Sequence, residues 1–269
     1  MTNWEKLLTD ATSRVQEAVN AVLQGSEKSK VLGVGASGDL TLVADSRAER
    51  ELIDSLTQAI DVRILSEEIG QLGAKDARYL AVLDPLDGSS NFSRGIPFYC
   101  TSVGVIEGNR LREEKYALVR NLVTGDVYYA EAGNGARKNG KRIRASSLGE
   151  VSEAVVGVDI SRASPAVIEE TVPLIASIKR QVHFGANALE LCLVAEGILD
   201  AFVDIRGKMR VTDFAAAHLI AREAGAVITS AEAKEIDPQI ELGSRFGYVA
   251  AGNETLHRQL ISRLRSHAR

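Results

Sequence analysis

Trp4, Leu7, Leu8, Ala11, Val15, Ala18, Val19 and Val22 recur at the spacing of one helix face, and Gly25 follows at the natural stop. The chain therefore opens with an amphipathic helix. Gly33, Gly35 and Gly38 precede the alternating Leu40-Thr41-Leu42-Val43, the pattern of a flexible loop running into a strand. A second helix is predicted over about 46–60, with Ala48, Leu52, Ile53, Leu56 and Ile60 on one face. Between Val62 and Arg144 the period shortens to that of strands, at 62–66, 79–83, 101–106, 115–119 and 127–130, and Asn139-Gly140 marks a hairpin turn. This half reads as helices on an antiparallel sheet.

After Gly149 strands and helices alternate, with strands at 154–158, 201–204, 226–229 and 248–251 and helices at 165–179, 186–196, 213–224 and from about Asn253. The pattern predicts an α+β unit over 1–147 and an α/β unit over 148–269, sharing an interface because no long linker separates them. The 269 residues are 45% hydrophobic and 25% charged, enough to bury a core without disulfides. Cys100 and Cys192 sit in apolar company and read as buried thiols in a reducing compartment, which points to the cytoplasm. A net charge of −4 and only 5% aromatic residues argue against nucleic acid and anionic membrane as partners. No window reaches the roughly 20 apolar residues that span a bilayer, and the N-terminus is amphipathic rather than a signal peptide.

The chemistry gathers in three segments. The apolar run Tyr79–Leu83 leads into Asp84-Pro85-Leu86-Asp87-Gly88-Ser89-Ser90-Asn91, where Pro85 stiffens the turn between two carboxylates. Paired carboxylates on a stiff turn suit a hard divalent cation, and free N–H groups beyond them suit a phosphate. Taken alone, the same string is equally well a plain turn. Glu67 and Glu68 close the strand 62–66, which brings them beside Asp84 and Asp87 if those strands end together. Asp213 opens a helix whose Ala215, Ala216 and Ala217 permit close packing, and in isolation it reads as an N-cap.

In this order, Ser66-Glu67-Glu68, Asp84-Pro85-Leu86-Asp87-Gly88-Ser89-Ser90-Asn91-Phe92 and Thr212-Asp213-Phe214-Ala215-Ala216 resemble the signature motifs of the inositol monophosphatase superfamily over essentially the whole chain. Ser66, Ser89 and Thr212 stand where the usual motifs carry glycine, threonine and tryptophan. The resemblance implies a layered α-β-α-β-α sandwich and a Mg²⁺-dependent phosphatase that hydrolyses sugar or cyclitol phosphate monoesters with metal-activated water, working as a homodimer. It assigns two magnesium ions to Glu67, Asp84, Asp87, Asp213 and the Leu86 carbonyl, and the phosphate to Gly88, Ser89 and Ser90. Glu67 and Ser89 would orient the attacking water, with Asp45 in support. The segment Gly33–Gly38 would be a closing loop from which Asp39 brings a third metal or helps activate water. Gly185, Ala186 and Asn187 lie where backbone approaches the sugar.

Arg206 aligns with a glutamate that touches the inositol ring in animal members, and an arginine fork suits a second phosphate better than a hydroxyl. Together with Asp87-Gly88-Ser89-Ser90-Asn91 it points to the archaeal-type members that accept both inositol 1-phosphate and fructose 1,6-bisphosphate. Arg162 and Arg94 are weaker candidates for the same duty. The alternatives are a 3′(2′),5′-bisphosphate nucleotidase, disfavoured because Ser90-Asn91 follows Asp87-Gly88-Ser89 where those relatives carry a lysine, and a non-catalytic protein that keeps the fold. Gly33-Val34-Gly35-Ala36-Ser37-Gly38 matches a dinucleotide-binding string but lacks a strand before it and a helix directly after. His183, His218, His257 and His267 show no metal spacing with either cysteine, and His218 reads as a core residue.

Overall fold

The computed structural model describes residues 2–265, so His267 lies outside the described residues. Helices α1 (Trp4–Gln24) and α2 (Val43–Ala59) pack together on one face of an eight-stranded sheet. In chain order its strands are β3 (Val62–Ser66), β4 (Gly70–Leu72), β5 (Tyr79–Asp87), β6 (Cys100–Ile106), β7 (Glu114–Asn121), β8 (Val127–Glu131), β9 (Gly135–Lys138) and β10 (Lys141–Arg142). They lie in the order β10-β9-β8-β7-β6-β5-β3-β4, with the β3–β5 pair parallel and the remaining pairs antiparallel. A second sheet has the order β12-β11-β13-β15-β14, from β11 (Val155–Val158), β12 (Arg180–Val182), β13 (Ala201–Arg210), β14 (Val227–Thr229) and β15 (Arg245–Ala251).

Side-chain alternation along single strands separates the layers. On β5, Ala81 and Leu83 join Leu8, Val15, Leu52 and Leu56 under α1 and α2, whereas Leu80 and Val82 face the opposite way. That opposite face meets α5 (Asn187–Ala195) and α6 (Val211–Glu223), through Leu189, Cys192, Phe214 and Ala217. On β13, Phe202 points into this middle layer, while Ala201 and Val203 pack beneath α4 (Pro165–Ser177) and α7 (Glu254–Arg265). The order of layers is therefore helix, sheet, helix, sheet, helix, as the family resemblance implies. The middle cluster draws on residues from both sides of position 147, so one core joins the two halves.

Several boundaries differ from the sequence pattern. Val31–Val34 is itself a strand, β1, paired antiparallel with β2 (Leu40–Leu42), so the glycine-rich segment is the turn of a hairpin rather than a loop leading into one strand. Helix α2 begins at Val43 instead of Ser46, which places Asp45 in its first turn, where Oδ2 accepts the Leu42 N–H at 2.6 Å. Strands β4 and β12, three residues each, are too short to leave a periodic trace. The Asn139-Gly140 turn joins β9 to β10 as predicted, both residues having positive φ (50° and 76°). Cys100 and Cys192 are buried free thiols, and His218 is a core residue, 2.8 Å from Glu114 and stacked on Phe214.

Candidate active site

Strand β5 does not stop at Leu83 but continues through Pro85 to Asp87 by means of a bulge. Asp84 pairs with Ser102 and Asp87 with Cys100, so three steps along β5 match two along β6. The extra residue brings two carboxylates of odd separation to the same side of the strand, which regular pleating forbids. The bulge also accommodates Pro85, which has no N–H to give the ladder. Neighbouring strand β3 runs parallel to β5, with Ser66 level with Leu83, so Glu67 emerges next to Asp84.

Glu67, Asp84 and Asp213 each present a carboxylate oxygen within 4.8 Å of the other two. Asp213 arrives from the other half of the chain: β13 runs directly into α6, making it the third helical residue rather than the N-cap. Its Oδ1 accepts the Thr212 hydroxyl at 2.8 Å. Burial, then the charge of Asp213, pushes Glu67 up to about 7. Burial, then Asp87, pushes Asp213 up to about 6. Asp84 is driven well above the ordinary carboxylate range by burial and by Glu67, Asp87, Asp213 and Asp45. Crowded like charges in a dry site resist ionising unless a cation joins them.

Asp87 stands apart from that triad of oxygens. Its carboxylate accepts the Asn187 N–H at 3.2 Å and the Ala188 N–H at 2.7 Å, so it caps α5 from another strand. The Cys100 thiol lies 3.6 Å from the same carboxylate. Burial lifts Asp87 to about 7 against these donors. Gly88 follows with φ +87°, and a Cβ there would stand 3.0 Å from Phe98 O and 3.1 Å from Ala186 Cβ. Only glycine can bring the chain from β5 into the short helix α3 (Ser89–Arg94) at this point. Asn91 of α3 donates through Nδ2 to Phe98 O (2.8 Å) and Phe184 O (2.7 Å), tying Ser89 and Ser90 to the turn before α5.

The β1–β2 hairpin docks on Glu67 and Glu68. Ala36 N–H and Ser37 N–H donate to Glu68 O and Glu67 O at 2.8 and 3.0 Å, and Ser37 Oγ reaches Glu67 Oε1 at 3.2 Å. Thr41 donates to Glu68. Asp39 is joined to the site by Arg210, whose guanidinium bonds both Asp39 and Glu67. Asp45 is buried behind them and rises to about 8, through burial first and then Glu68, Glu67 and Glu49.

Arg206 has a different place from the one its alignment suggests. Its Nε donates to Asp204 Oδ1 at 2.8 Å, Nη2 to Asp204 Oδ2 at 2.7 Å and also to Asp159, and Nη1 to Ser161 O at 2.9 Å. Every nitrogen of the fork is engaged within the protein, which replaces the expectation of a fork free for a second phosphate. Arg162 lies next to this network on an exposed turn with φ +56°. Arg94 ends α3. Gly185 (φ +83°), Ala186 and Asn187 form the turn into α5, and Asn187 Oδ1 is buried without a partner. Arg210, Asn91 and Glu190 belong to the site's framework but were not singled out by sequence. Arg210 carried one available signal, its position one residue before α6 and three before Asp213.

The donor set is all oxygen, close-set and dry, which fits a hard divalent cation and not a thiolate or imidazole metal. The inositol monophosphatase family model matches residues 2–269. The fructose-1,6-bisphosphatase/inositol-1-monophosphatase of Methanothermobacter thermautotrophicus is 35% identical, over 97% of this chain and 96% of its own. The bifunctional NADP phosphatase/NAD kinase of Methanococcus maripaludis is 31% identical over 92% of this chain, which spans 46% of that longer protein. The crystal structure of an inositol monophosphatase–fructose 1,6-bisphosphatase superposes with a TM-score of 0.87 at 30% identity, covering 98% of this chain and all (100%) of the other. A continuous match of this extent, laid over an acidic site assembled from both halves of the fold, makes the chain a member of the inositol monophosphatase family and a phosphatase.

Proposed function

We propose that this phosphatase hydrolyses sugar and cyclitol phosphate monoesters, fructose 1,6-bisphosphate and inositol 1-phosphate among them, with Mg²⁺ as its metal. The observation that carries the reading is the convergence of Glu67, Asp84 and Asp213 within 4.8 Å, one bulge away from the Gly88 turn. Glu67, Asp84, Asp213, the Leu86 carbonyl and Asp87 would hold two magnesium ions, and Asp39 would bring a third or help activate water. Bound there, magnesium supplies Lewis-acid activation of water and neutralises phosphoryl charge. The backbone of Gly88 and Ser89, with Ser90, receives the phosphate. Glu67 and Ser89 orient the attacking water, with buried Asp45 as a supporting neighbour. Gly185, Ala186 and Asn187 face the sugar, with Arg162 at the rim. Homodimer formation, by family resemblance, and residence in the cytoplasm, from the two free buried thiols, belong to the same proposal. Among the described residues no helix is long and apolar enough to cross a membrane.

The resemblance to the Methanococcus protein, whose name includes NADP phosphatase, supports a second reading in which the ester belongs to a nucleotide. One assay separates the two: phosphate release with Mg²⁺ from fructose 1,6-bisphosphate, inositol 1-phosphate, 3′-phosphoadenosine 5′-phosphate and NADP. Turnover of the first two upholds the sugar reading, and turnover of only the nucleotides replaces it.

A further inference from the structure

His183 immediately precedes the turn that joins β12 to α5, and both of its ring nitrogens face buried carboxylates. Nδ1 lies 3.1 Å from Glu190 Oε2, and Nε2 lies 3.5 Å from Asp159 Oδ1. Neither acid belongs to the metal cluster. Glu190, fully buried on α5, uses its two oxygens to accept the Phe184 N–H (2.9 Å) and the Gly185 N–H (3.2 Å). Asp159, just beyond β11, is paired on its other side with Arg206 of β13, which Asp204 shares. The charged groups facing the ring are thus Asp159, Glu190 and Arg206, with Asp204 behind Arg206 and the Phe202 ring at 6.3 Å completing the wall.

We propose that His183, as an imidazolium clamped between Asp159 and Glu190, is the positioning residue of the β12–α5 turn, and that substrate affinity follows its charge. The turn matters because it acts through its backbone. Phe184 O receives Asn91 of α3, and the Asn187 and Ala188 N–H groups hold Asp87. A turn made of such contacts keeps its shape only if its own carboxylate anchor, Glu190, is held still. Glu190 without a cation would be a buried charge balanced only by two backbone N–H groups, which favours water entry and a looser turn. Burial opposes the charged ring, but Glu190 and then Asp159 outweigh it and hold His183 above its ordinary value. The clamp is therefore complete at low pH and is lost as pH rises through the raised value of the folded state.

The part concerning substrate rests on the sugar-phosphatase reading, so the test has one arm that needs no substrate. Proton resonances of the His183 ring give its midpoint directly, and amide hydrogen exchange follows Phe184, Gly185, Asn187 and Ala188. His183→Gln should speed exchange at these amides by about tenfold, and His183→Lys, which keeps the charge, should restore slow exchange. In turnover, KM of the wild type should rise by about tenfold through that same midpoint while kcat stays level. The Gln variant should have the high KM at every pH and the Lys variant the low one. Unchanged exchange in the Gln variant, or a KM step that survives in both variants, would overturn the proposal. Failure of every substrate, with the exchange pattern as described, would instead count against the substrate reading and leave the clamp supported.

Discussion

Arg210 holds Glu67 and Asp39 together: one guanidinium nitrogen bonds the strand carboxylate, and the other bonds the carboxylate of the hairpin. The metal cluster and the covering hairpin are therefore linked through one cation. That cation occupies the same carboxylate a metal would need.

Arg210→Gln should consequently bind Mg²⁺ more tightly, by about tenfold, because a competing positive charge has been removed from Glu67. In the absence of metal its hairpin should also exchange amide protons faster at 35–39. Titration calorimetry and hydrogen exchange read these separately. Equal Mg²⁺ affinity in the two proteins would show that Arg210 does not compete.

Asp87→Asn should reduce turnover by about two orders of magnitude and weaken Mg²⁺ binding, while the protein still folds. The amide keeps one oxygen for the Ala188 N–H but turns a donor toward the second N–H or the cluster. Steady-state assay with a parallel thermal melt checks both statements. An unchanged rate would remove Asp87 from the metal set.

Metal-free protein should become less stable as pH rises from about 4 to 8. Glu67, Asp87 and Asp213 stand near 7, 7 and 6 in the folded chain, and Asp45 near 8, all above their ordinary values. Over that window the native state holds protons that the unfolded chain has lost, so raising the pH favours unfolding. Mg²⁺ replaces those protons and should flatten the slope. Calorimetric melts in EDTA and in excess Mg²⁺, taken across the range, test the sign.

Arg206→Ala should act on stability before specificity. It leaves Asp159 and Asp204, both buried, without their shared partner, a loss of about 3–5 kcal/mol. Turnover of fructose 1,6-bisphosphate and of inositol 1-phosphate should fall together. A selective loss of the bisphosphate would return Arg206 to the substrate.

Gly88→Ala should destabilise the fold by about 1–3 kcal/mol, because a left-handed residue must accept a side chain that meets Phe98 O and Ala186. Denaturant unfolding measures it. Activity should fall further than stability, since the same turn presents the phosphate-binding backbone.

The helices α1, α5 and α7 were legible in the sequence because hydrophobic period is a local property, whereas the layered order and the roles of the acids followed from the resemblance of three short motifs to a known family. Asp84-Pro85-Leu86-Asp87 announces paired carboxylates on a stiff segment wherever it folds. What sequence could not supply was the arrangement of charge across elements remote in the chain. The bulge that turns Asp84 and Asp87 to one side exists only against β6, and the α5 N-terminus that claims Asp87 comes from 100 residues later. Arg206 and Arg210 are alike as letters, four positions apart on one strand. Packing alone sends the first to Asp159 and Asp204 and the second to Glu67 and Asp39. Sequence determined which groups were present, because composition and period are written along the chain; tertiary structure decided which charges face each other, because Coulomb interaction depends on distance in space and on how much water remains between them.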